Sequence, residues 1–386
     1  MNAPAKSRRK IAILSSVHLA LDNRVFYREA RTLADAGYNV TLIAVHDRDE
    51  TKDGVHIRAL PRVARSHRPL LWRKLYHMAL ETEADAYHIH DPELLMITPW
   101  LRRVTGRPTI YDIHEANADF IAVKDYLPTL VRRPLAGLFR RAEPRLARGE
   151  SGLIFADDAI AVDFATFPGP RATLFNFPGR DLIEHGAAAA LTQRMEPIIL
   201  YLGGLERNRG ASLMIAAFAE VVAQAPAARL LIVGHFMPPE LEQEVRVGAA
   251  ARGIGHAVTI TGRVPFEHIG DHLSRAAVGW VAWQPVAKNR KNIPTKLFEY
   301  MAYGLPIVSS DLPSTQPFVE SGVNGLLVTA DSPAAHAAAL LQLLSDPEGA
   351  TTMGRAGRRL VETQYNWEEM VPRLLSLYET ILGQGM

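Results

Sequence analysis

Cysteine is absent from the 386 residues. That excludes a disulfide framework and any thiolate metal site. No stretch approaches the roughly 18 apolar residues of a membrane-spanning helix. The first ten residues, MNAPAKSRRK, are polar and basic where a secretory signal would carry an apolar core. No Gly-x-Ser-x-Gly turn or Ser-His-Asp arrangement points to a hydrolase. No Asp-x-Asp pair stands in a plausible place to hold a metal and a diphosphate, and no short solenoid repeat is present. These absences lead to the expectation of a cytoplasmic protein without a metal or other resident cofactor.

What remains is a chain that is 48% hydrophobic and 22% charged, the balance of a soluble globular protein with room for two domains. The net charge of +2 is unevenly spread. Residues 1–180 hold 27 Lys and Arg against 21 Asp and Glu, and the rest hold 16 against 20. A basic first half suits an anionic partner, or a solvated surface with none.

Short β-branched runs alternate with helical periodicity. KIAILSS (Lys10–Ser16) reads as a buried strand, and the stretch from Asn23 as an amphipathic helix stopped by Gly37. NVTLIAV, DAYHIHD, RPTIYDIHE and SGLIFAD continue the pattern. It restarts after Asn176 with EPIILYLGG, GASLMIAAFAEVVAQAP, ARLLIVG, AVTITG, AVGWVAW, LPIVSS and NGLLVT. Strand–helix–strand alternation predicts an α/β fold, with two doubly wound parallel sheets joined near FNFPGRDLIEHGAAAALTQRMEP. Two such sheets are expected to face one another across a cleft, with ligands outside the carboxyl ends of the strands.

Several residues fall at those strand ends. In NIPTKLFEYMAYGLPIVSS, a helix beginning near Pro294 or Thr295 would present unpaired amides to an anion. Lys296 opposes the helix dipole unless a polyanion faces it. Glu299, three residues on, shares its face and could accept hydrogen bonds from a ribose diol. The same spacing also describes an ordinary surface ion pair. Gly203 and Gly204 follow a strand, and Arg209 precedes the next helix, an arrangement that suits diphosphate oxygens or a plain turn. Gly234, Arg263 and Val264 lie on the same rim, where a flat base could rest. In the first half Asp112, His114 and Glu115 end a strand, and a neutral His114 could hold a sugar hydroxyl or be structural. His88, His90 and Asp91 invite a metal reading, but no third ligand cluster accompanies them.

Taken in order, DNRVFYREARTLADAGYNVTLIA, HIHDPELL, YDIHE, YLGGLERNRG, LLIVG, TGRV and PTKLFEYMAYGLPIVSS…ESGVNGLLV resemble the group 1, or family 4, retaining glycosyltransferases of the GT-B fold. The resemblance covers about residues 10–380. It implies an acceptor-side domain (1–180), a nucleotide-sugar domain (181–364) and a last helix (365–386) returning to the first. It implies a UDP- or GDP-sugar as co-substrate and a glycan or lipid-linked acceptor in cell-envelope polysaccharide synthesis. By motif, Glu299 is the second Glu of the family's Glu-x7-Glu, Arg209 the diphosphate-loop cation, Lys296 a second phosphate ligand and His114 the residue beside the transferred sugar. Three positions depart from the pattern. Lys291 replaces the first motif Glu, Gly204 replaces an Arg, and the loop after the first strand, VHLALDNR, has no glycine, leaving Asp22 and Arg24 as its polar contacts. A degenerate sugar-binding protein or a sugar-nucleotide epimerase of the same fold remains an alternative.

Two basic segments stand apart. Tyr126–Glu150 carries six Arg against two Glu among Leu127, Leu130, Val131, Leu135, Leu138 and Phe139, and Arg68–Glu81 adds Trp72 and Tyr76. Such segments can lie on an anionic membrane surface at the inner face, or can be core-facing helices with solvated arginines. No nucleic-acid motif accompanies the charge.

Overall fold

The structure, a computed structural model, describes residues 8–123, 127–191, 196–265 and 268–383. The polar leader before residue 8, Tyr126 and part of the expected linker lie outside them. The described chain divides into two compact units. One runs to Asn176 and resumes at Trp367; the other is Phe177–Asn366.

The first unit contains β1 (Lys10–Leu19), β2 (Asn39–Val45), β3 (Glu50–Lys52), β4 (Val55–Leu60), β5 (Ala86–Ile89), β6 (Thr109–Ile113), β7 (Gly152–Phe155) and β8 (Arg171–Thr173). They form one sheet in the order β3-β4-β2-β1-β5-β6-β7-β8. All neighbours are parallel except β3 and β4. β5, β6 and β7 are buried at every position, as strands covered on both faces must be. Leu14, Ile43, Tyr87, Ile89, Tyr111 and Phe155 lie at the centre of the core.

The helix expected from Asn23 forms with a wider winding. Asn23–Ala30 has π geometry and continues as an α-helix over Arg31–Asp35, and Gly37 ends the segment at φ +92°. Asp22 caps it, accepting from the amides of Arg24 and Val25. A π turn brings residues five apart onto one face. Here it sets Arg24 Nε 3.0 Å from Glu29 Oε1, both buried.

The chain returns to this unit through the helix Val371–Gly383. Trp367 Nε1 donates to Thr32 Oγ1 at 2.8 Å, and Leu374, Leu377 and Ile381 are buried. Ile381 reaches Gly152, where a Cβ would stand 2.4 Å from its Cδ1, so a side chain at that strand position would require Ile381 to move.

The second unit contains β9 (Ile198–Leu202), β10 (Leu205–Glu206), β11 (Arg229–Val233), β12 (Phe236–Met237), β13 (Val258–Gly262), β14 (Val278–Val281), β15 (Ile307–Ser310) and β16 (Gly325–Val328). The main sheet, β13-β11-β9-β14-β15-β16, is wholly parallel, and β10 pairs with β12 beside it. The helices Ala211–Gln224 and Pro333–Ser345 bury Met214, Phe218, Leu340 and Leu343 in a core with Ile199, Tyr201 and Trp280.

The stretch expected as the joint is helical in part of its described residues. It forms the helices Arg180–His185 and Ala187–Leu191, and Leu182 and Ile183 are buried. A Cβ at Gly186 would lie 2.2 Å from the Ala302 carbonyl oxygen. The change of unit falls at the start of this stretch, between Asn176 and Phe177.

Candidate functional site

Each sheet has one place where successive connections leave in opposite directions. In the first unit it lies between β1 and β5, and in the second between β9 and β14. Ligands of open α/β sheets bind outside the carboxyl ends of strands at such points. Most of the residues singled out from the sequence cluster at one or the other.

In the second unit, β9 runs into Gly203 and Gly204. The two backbones at the ends of β9 and β11 touch: Gly203 N donates to Val233 O at 2.7 Å, and a Cβ at Gly234 would lie 2.1 Å from Gly203 O. Gly203, at φ +97°, leaves the ammonium of Lys296 close by, 3.8 Å from where its own Cβ would be. Lys296 is 5% exposed, and its Nζ has no hydrogen-bond partner. That Nζ stands 3.7 Å from the centroid of the Tyr201 ring, its nearest support apart from more distant charge. Burial pushes the Lys296 pKa well below the usual lysine value, and the Arg209 guanidinium pushes it further. A buried ammonium without an acceptor is costly, and an anion facing it would remove the cost.

Arg209 lies beside it. Its Nη1 donates to Gly204 O at 2.9 Å, its Nη2 is 3.2 Å from Glu206 Oε1, and its guanidinium stands over Trp283 at 5.5 Å. Arg209 Nε is buried with no partner. Lys288 Nζ faces the other oxygen of Glu206 at 3.8 Å. His235, Arg263 and Arg209 share a rim, and burial followed by the two guanidiniums lowers the His235 pKa. Arg263 is exposed and Val264 half-buried, just past β13.

The helix carrying Lys296 is shorter than the sequence suggests. It spans Lys296–Ala302, with Pro294 buried and Thr295 at its cap. The amides of Leu297, Phe298 and Glu299 already donate to the carbonyls of Pro294 and Thr295. Recognition of an anion here therefore rests on side-chain cations more than on a helix end. Tyr300 anchors the helix, accepting from Leu202 N at 2.9 Å and donating to Leu200 O at 3.0 Å. Glu299 is half-buried on the same two turns.

In the first unit, His90 and His114 end adjacent strands. His90 Nδ1 and His114 Nε2 are 2.7 Å apart, and Asp112 Oδ2 is 3.2 Å from His114 Nε2. Burial pushes both imidazoles below their ordinary pKa, His90 to about 4, although Asp112 works in the opposite direction. Arg24 clamps Asp112 with Nε at 2.8 Å and Nη2 at 2.9 Å, and its Nη1 donates to Leu174 O and Asn176 Oδ1. Arg24, expected as a polar ligand contact, is thus spent inside the protein, while Asp22 caps the helix with Oδ1 and stays partly exposed.

The glycine-free stretch expected as a loop after the first strand begins inside β1, and Asp91 holds the chain there instead. Its Oδ2 accepts from Ser15 Oγ at 2.9 Å, Ser16 N at 2.6 Å and Val17 N at 3.2 Å. The sequence suggested Asp91 as part of a metal set, and the structure turns it to this loop. By spacing, Glu29, His88, His90 and Asp112 could instead hold an ion. The Arg24 guanidinium, within 3.0 Å of both carboxyls, already supplies the cation.

Sequence reasoning missed several members of both clusters. His18 lies between Asp22 Oδ2 at 3.7 Å and Asp91 Oδ1 at 3.6 Å, and its ring is 4.9 Å from that of His114. Glu29, Glu206, Lys288, Tyr201 and Trp283 were also unmarked. Only a buried charge at an apolar periodic position, such as Glu29, gave a readable signal.

The family model described as "Glycosyl transferases group 1" matches residues 196–346, and "Glycosyl transferase 4-like domain" matches residues 23–178. A phosphatidyl-myo-inositol mannosyltransferase of Mycolicibacterium smegmatis is 25% identical over 375 residues, covering 92% of this chain and 89% of that protein. A D-inositol 3-phosphate glycosyltransferase of Catenulispora acidiphila is 28% identical over 78% of this chain and 73% of its own. Among solved structures, sucrose-phosphate synthase of Thermosynechococcus elongatus has a TM-score of 0.78 at 20% identity, covering 98% and 100% of the two chains. HepE of Anabaena, solved with UDP-glucose, has a TM-score of 0.73 at 14% identity, covering 96% and 99%.

Proposed function

Since this chain belongs to the group 1 glycosyltransferases, we propose that it moves a sugar, with retention, from a UDP- or GDP-sugar to a glycan or lipid-linked acceptor in cell-envelope polysaccharide synthesis. One observation carries the donor assignment: the buried, unpartnered ammonium of Lys296 beside Arg209 at the β9/β14 switch point. Those two cations stabilise the charge that develops on the departing diphosphate. Glu299 accepts from the ribose diol, and the rim of Gly234, Arg263 and Val264 receives the base. The leaving-group charge is met by side chains, and the reaction needs no metal. His114 lies beside the transferred sugar.

Two of the relatives are named for phosphatidyl-myo-inositol and for inositol phosphate, and the first unit has features suited to a lipid surface. Leu130, Val131 and Leu138 are exposed on the helix Thr129–Ala147 among Arg133, Arg140 and Arg141. Met96, Trp100 and Val104, each four residues from the next, are exposed beside Arg103. In this reading the unit rests on an anionic membrane while it takes its acceptor. Trp72 and Tyr76 do not contribute, because they pack on the core.

A thermal-shift screen against UDP, GDP, UDP-glucose and GDP-mannose tests the donor assignment, since a ligand of the native state raises its melting temperature. At least one of them is expected to do so. Lys296→Ala should then weaken that ligand about 10- to 100-fold, the loss of one charge-assisted contact worth about 1.5–3 kcal/mol. Glu299→Ala should weaken nucleotides more than inorganic pyrophosphate. No shift with any nucleotide, or an unchanged affinity in Lys296→Ala, would remove the reading.

A further inference from the structure

Arg209 reaches its place through a turn that is fixed on both sides. The short segment Arg207–Arg209 lies between β10 and the helix Ala211–Gln224. On one side Gly210, at φ +89°, is pressed against the exit of β14, where an added Cβ would stand 2.0 Å from Ala282 O. On the other side Asn208 O accepts from Gln284 N at 2.8 Å. Asn208 and Gly210 thus bracket Arg209 against residues 282–284, and its guanidinium stands over Trp283 between them.

A side chain from outside the turn ties the bracket together. Asn289, on the short helix Ala287–Lys291, is 1% exposed. Its Nδ2 donates to Asn208 O at 2.8 Å and to Gln284 O at 2.9 Å. Both partners are carbonyl oxygens, which only accept, so the orientation of this amide is set. Ser314 Oγ in turn donates to Asn289 O and holds the helix from behind. The preceding residue serves the same turn through charge. Lys288 Nζ is 3.8 Å from Glu206 Oε2, and Glu206 Oε1 is 3.2 Å from Arg209 Nη2.

We propose that Asn289 is a positioning residue: by tying Asn208 to Gln284 it holds the Arg209 guanidinium over Trp283, in place for the diphosphate of the donor. This rests on the sugar-transfer reading above and deepens it. A planar guanidinium meets phosphate oxygens well only from a narrow range of positions. The tie sets that position, while Glu206 and Gly204 O set the tilt of the group. Removing the Asn289 side chain leaves neither carbonyl unpaired, because Asn208 O keeps Gln284 N and Gln284 O keeps Val286 N. A variant at this position is therefore expected to fold. The helix that carries Lys291 in place of the motif Glu keeps a part in donor recognition by this route.

Calorimetric titration of UDP and of GDP into the whole protein reads the grip of Arg209 without an acceptor. Asn289→Ala should weaken the nucleotide that binds about 10- to 100-fold, the loss of one charge-assisted contact. In an Arg209→Ala background, itself weakened, the same change should cost nothing more, because Asn289 acts only through that guanidinium. Equal losses in the two backgrounds would mean general damage and overturn the proposal, as would an unchanged affinity in Asn289→Ala. A second measurement needs no ligand. Arg209 Nε is buried, so in nitrogen-15 NMR of arginine-labelled protein its N–H, assigned by loss of the signal in Arg209→Lys, should exchange slowly with water. In Asn289→Ala it should exchange about 10-fold faster or more, and an unchanged rate overturns the proposal. Should Asn289→Ala not fold, Ser314→Ala, which loosens the same helix, takes its place in both measurements with the same expected outcomes. If the wild-type protein binds neither nucleotide, the donor reading falls, and the Arg209 signal alone decides whether Asn289 fixes the guanidinium.

Discussion

His18 shows how one residue can replace a motif. The stretch from Val17 to Arg24 has no glycine, and it is held by Asp91 at one end and capped by Asp22 at the other. Two carboxylates at a loop need a cation, and His18 supplies it. Burial disfavours the charge, but Asp22 and Asp91 outweigh burial and raise the imidazole pKa to about 9. A pKa raised on folding stabilises the protein fully below the unfolded value of about 6.5, and the benefit fades as pH rises toward 9. His18→Gln should therefore cost about 1–2 kcal/mol at pH 6, after allowing for the ring's partial exposure, and little at pH 9.5. Urea denaturation of both proteins at the two pH values measures the difference. An equal cost at both would mean that the ring acts by packing and not by charge. The sequence shows a histidine between apolar residues and no sign that two acids, four and 73 positions away, converge on it.

At the scale of elements, the close approach of the ends of β9 and β11 shapes the backbone beside the switch point of the second unit. Gly234 has little tolerance: an added Cβ would stand 2.1 Å from the Gly203 carbonyl oxygen and 2.5 Å from its carbon. Both are backbone atoms, which cannot step aside as a flexible side chain would. Gly234→Ala is expected to cost about 1–3 kcal/mol in chemical denaturation, typical of an overpacked site. It should also abolish the nucleotide-induced thermal shift, because Gly203 frames Lys296. A stable variant that still binds nucleotide would show that the two strand ends can part. The strands were legible in the sequence: YLGG and LLIVG each read as a buried run ending in glycine. The helix after Pro294 was legible in place and not in length. Its first amides turn onto the Pro294 and Thr295 carbonyls, a choice made by Tyr300 anchoring the helix to Leu200 and Leu202. The segment from Asn23 was legible as a helix, while its π winding, which brings Arg24 to Glu29, answers to the buried Asp112 that both side chains meet.

At the scale of the molecule, charge and exposed apolar surface coincide in the first unit. The helix Thr129–Ala147 leaves Leu130 91% exposed and Leu138 64% exposed. Scattered exposed leucines are ordinary in soluble proteins; their alternation with arginines along one helix is the feature of surface-lying membrane segments. Vesicles containing about a third acidic lipid are expected to carry the protein upward in a flotation gradient, and neutral vesicles are not. Leu130→Asp with Leu138→Asp should abolish flotation without affecting nucleotide binding. Among the described residues no helix is long and apolar enough to cross a membrane, so attachment of this kind would be peripheral. Absence of flotation with acidic lipid would leave these leucines as plain solvent-facing residues.

The two open α/β sheets, their main parallel strands and the candidate residues Gly203, Arg209, Lys296, Glu299 and His114 could be read from the sequence alone, while β3, β4, β8, β10 and β12 could not. Local periodicity and glycine placement report which residues must be covered and where backbone must turn, and both are properties of short stretches. What only the tertiary structure decided is the state of the groups those strands carry. Lys296 lies buried against Tyr201 without an acceptor, Asp91 holds a loop rather than an ion, and Glu29 meets Asp112 across one guanidinium. Burial and the pairing of charges depend on side chains from strands and helices far apart in the chain, and folding alone brings them within reach of one another.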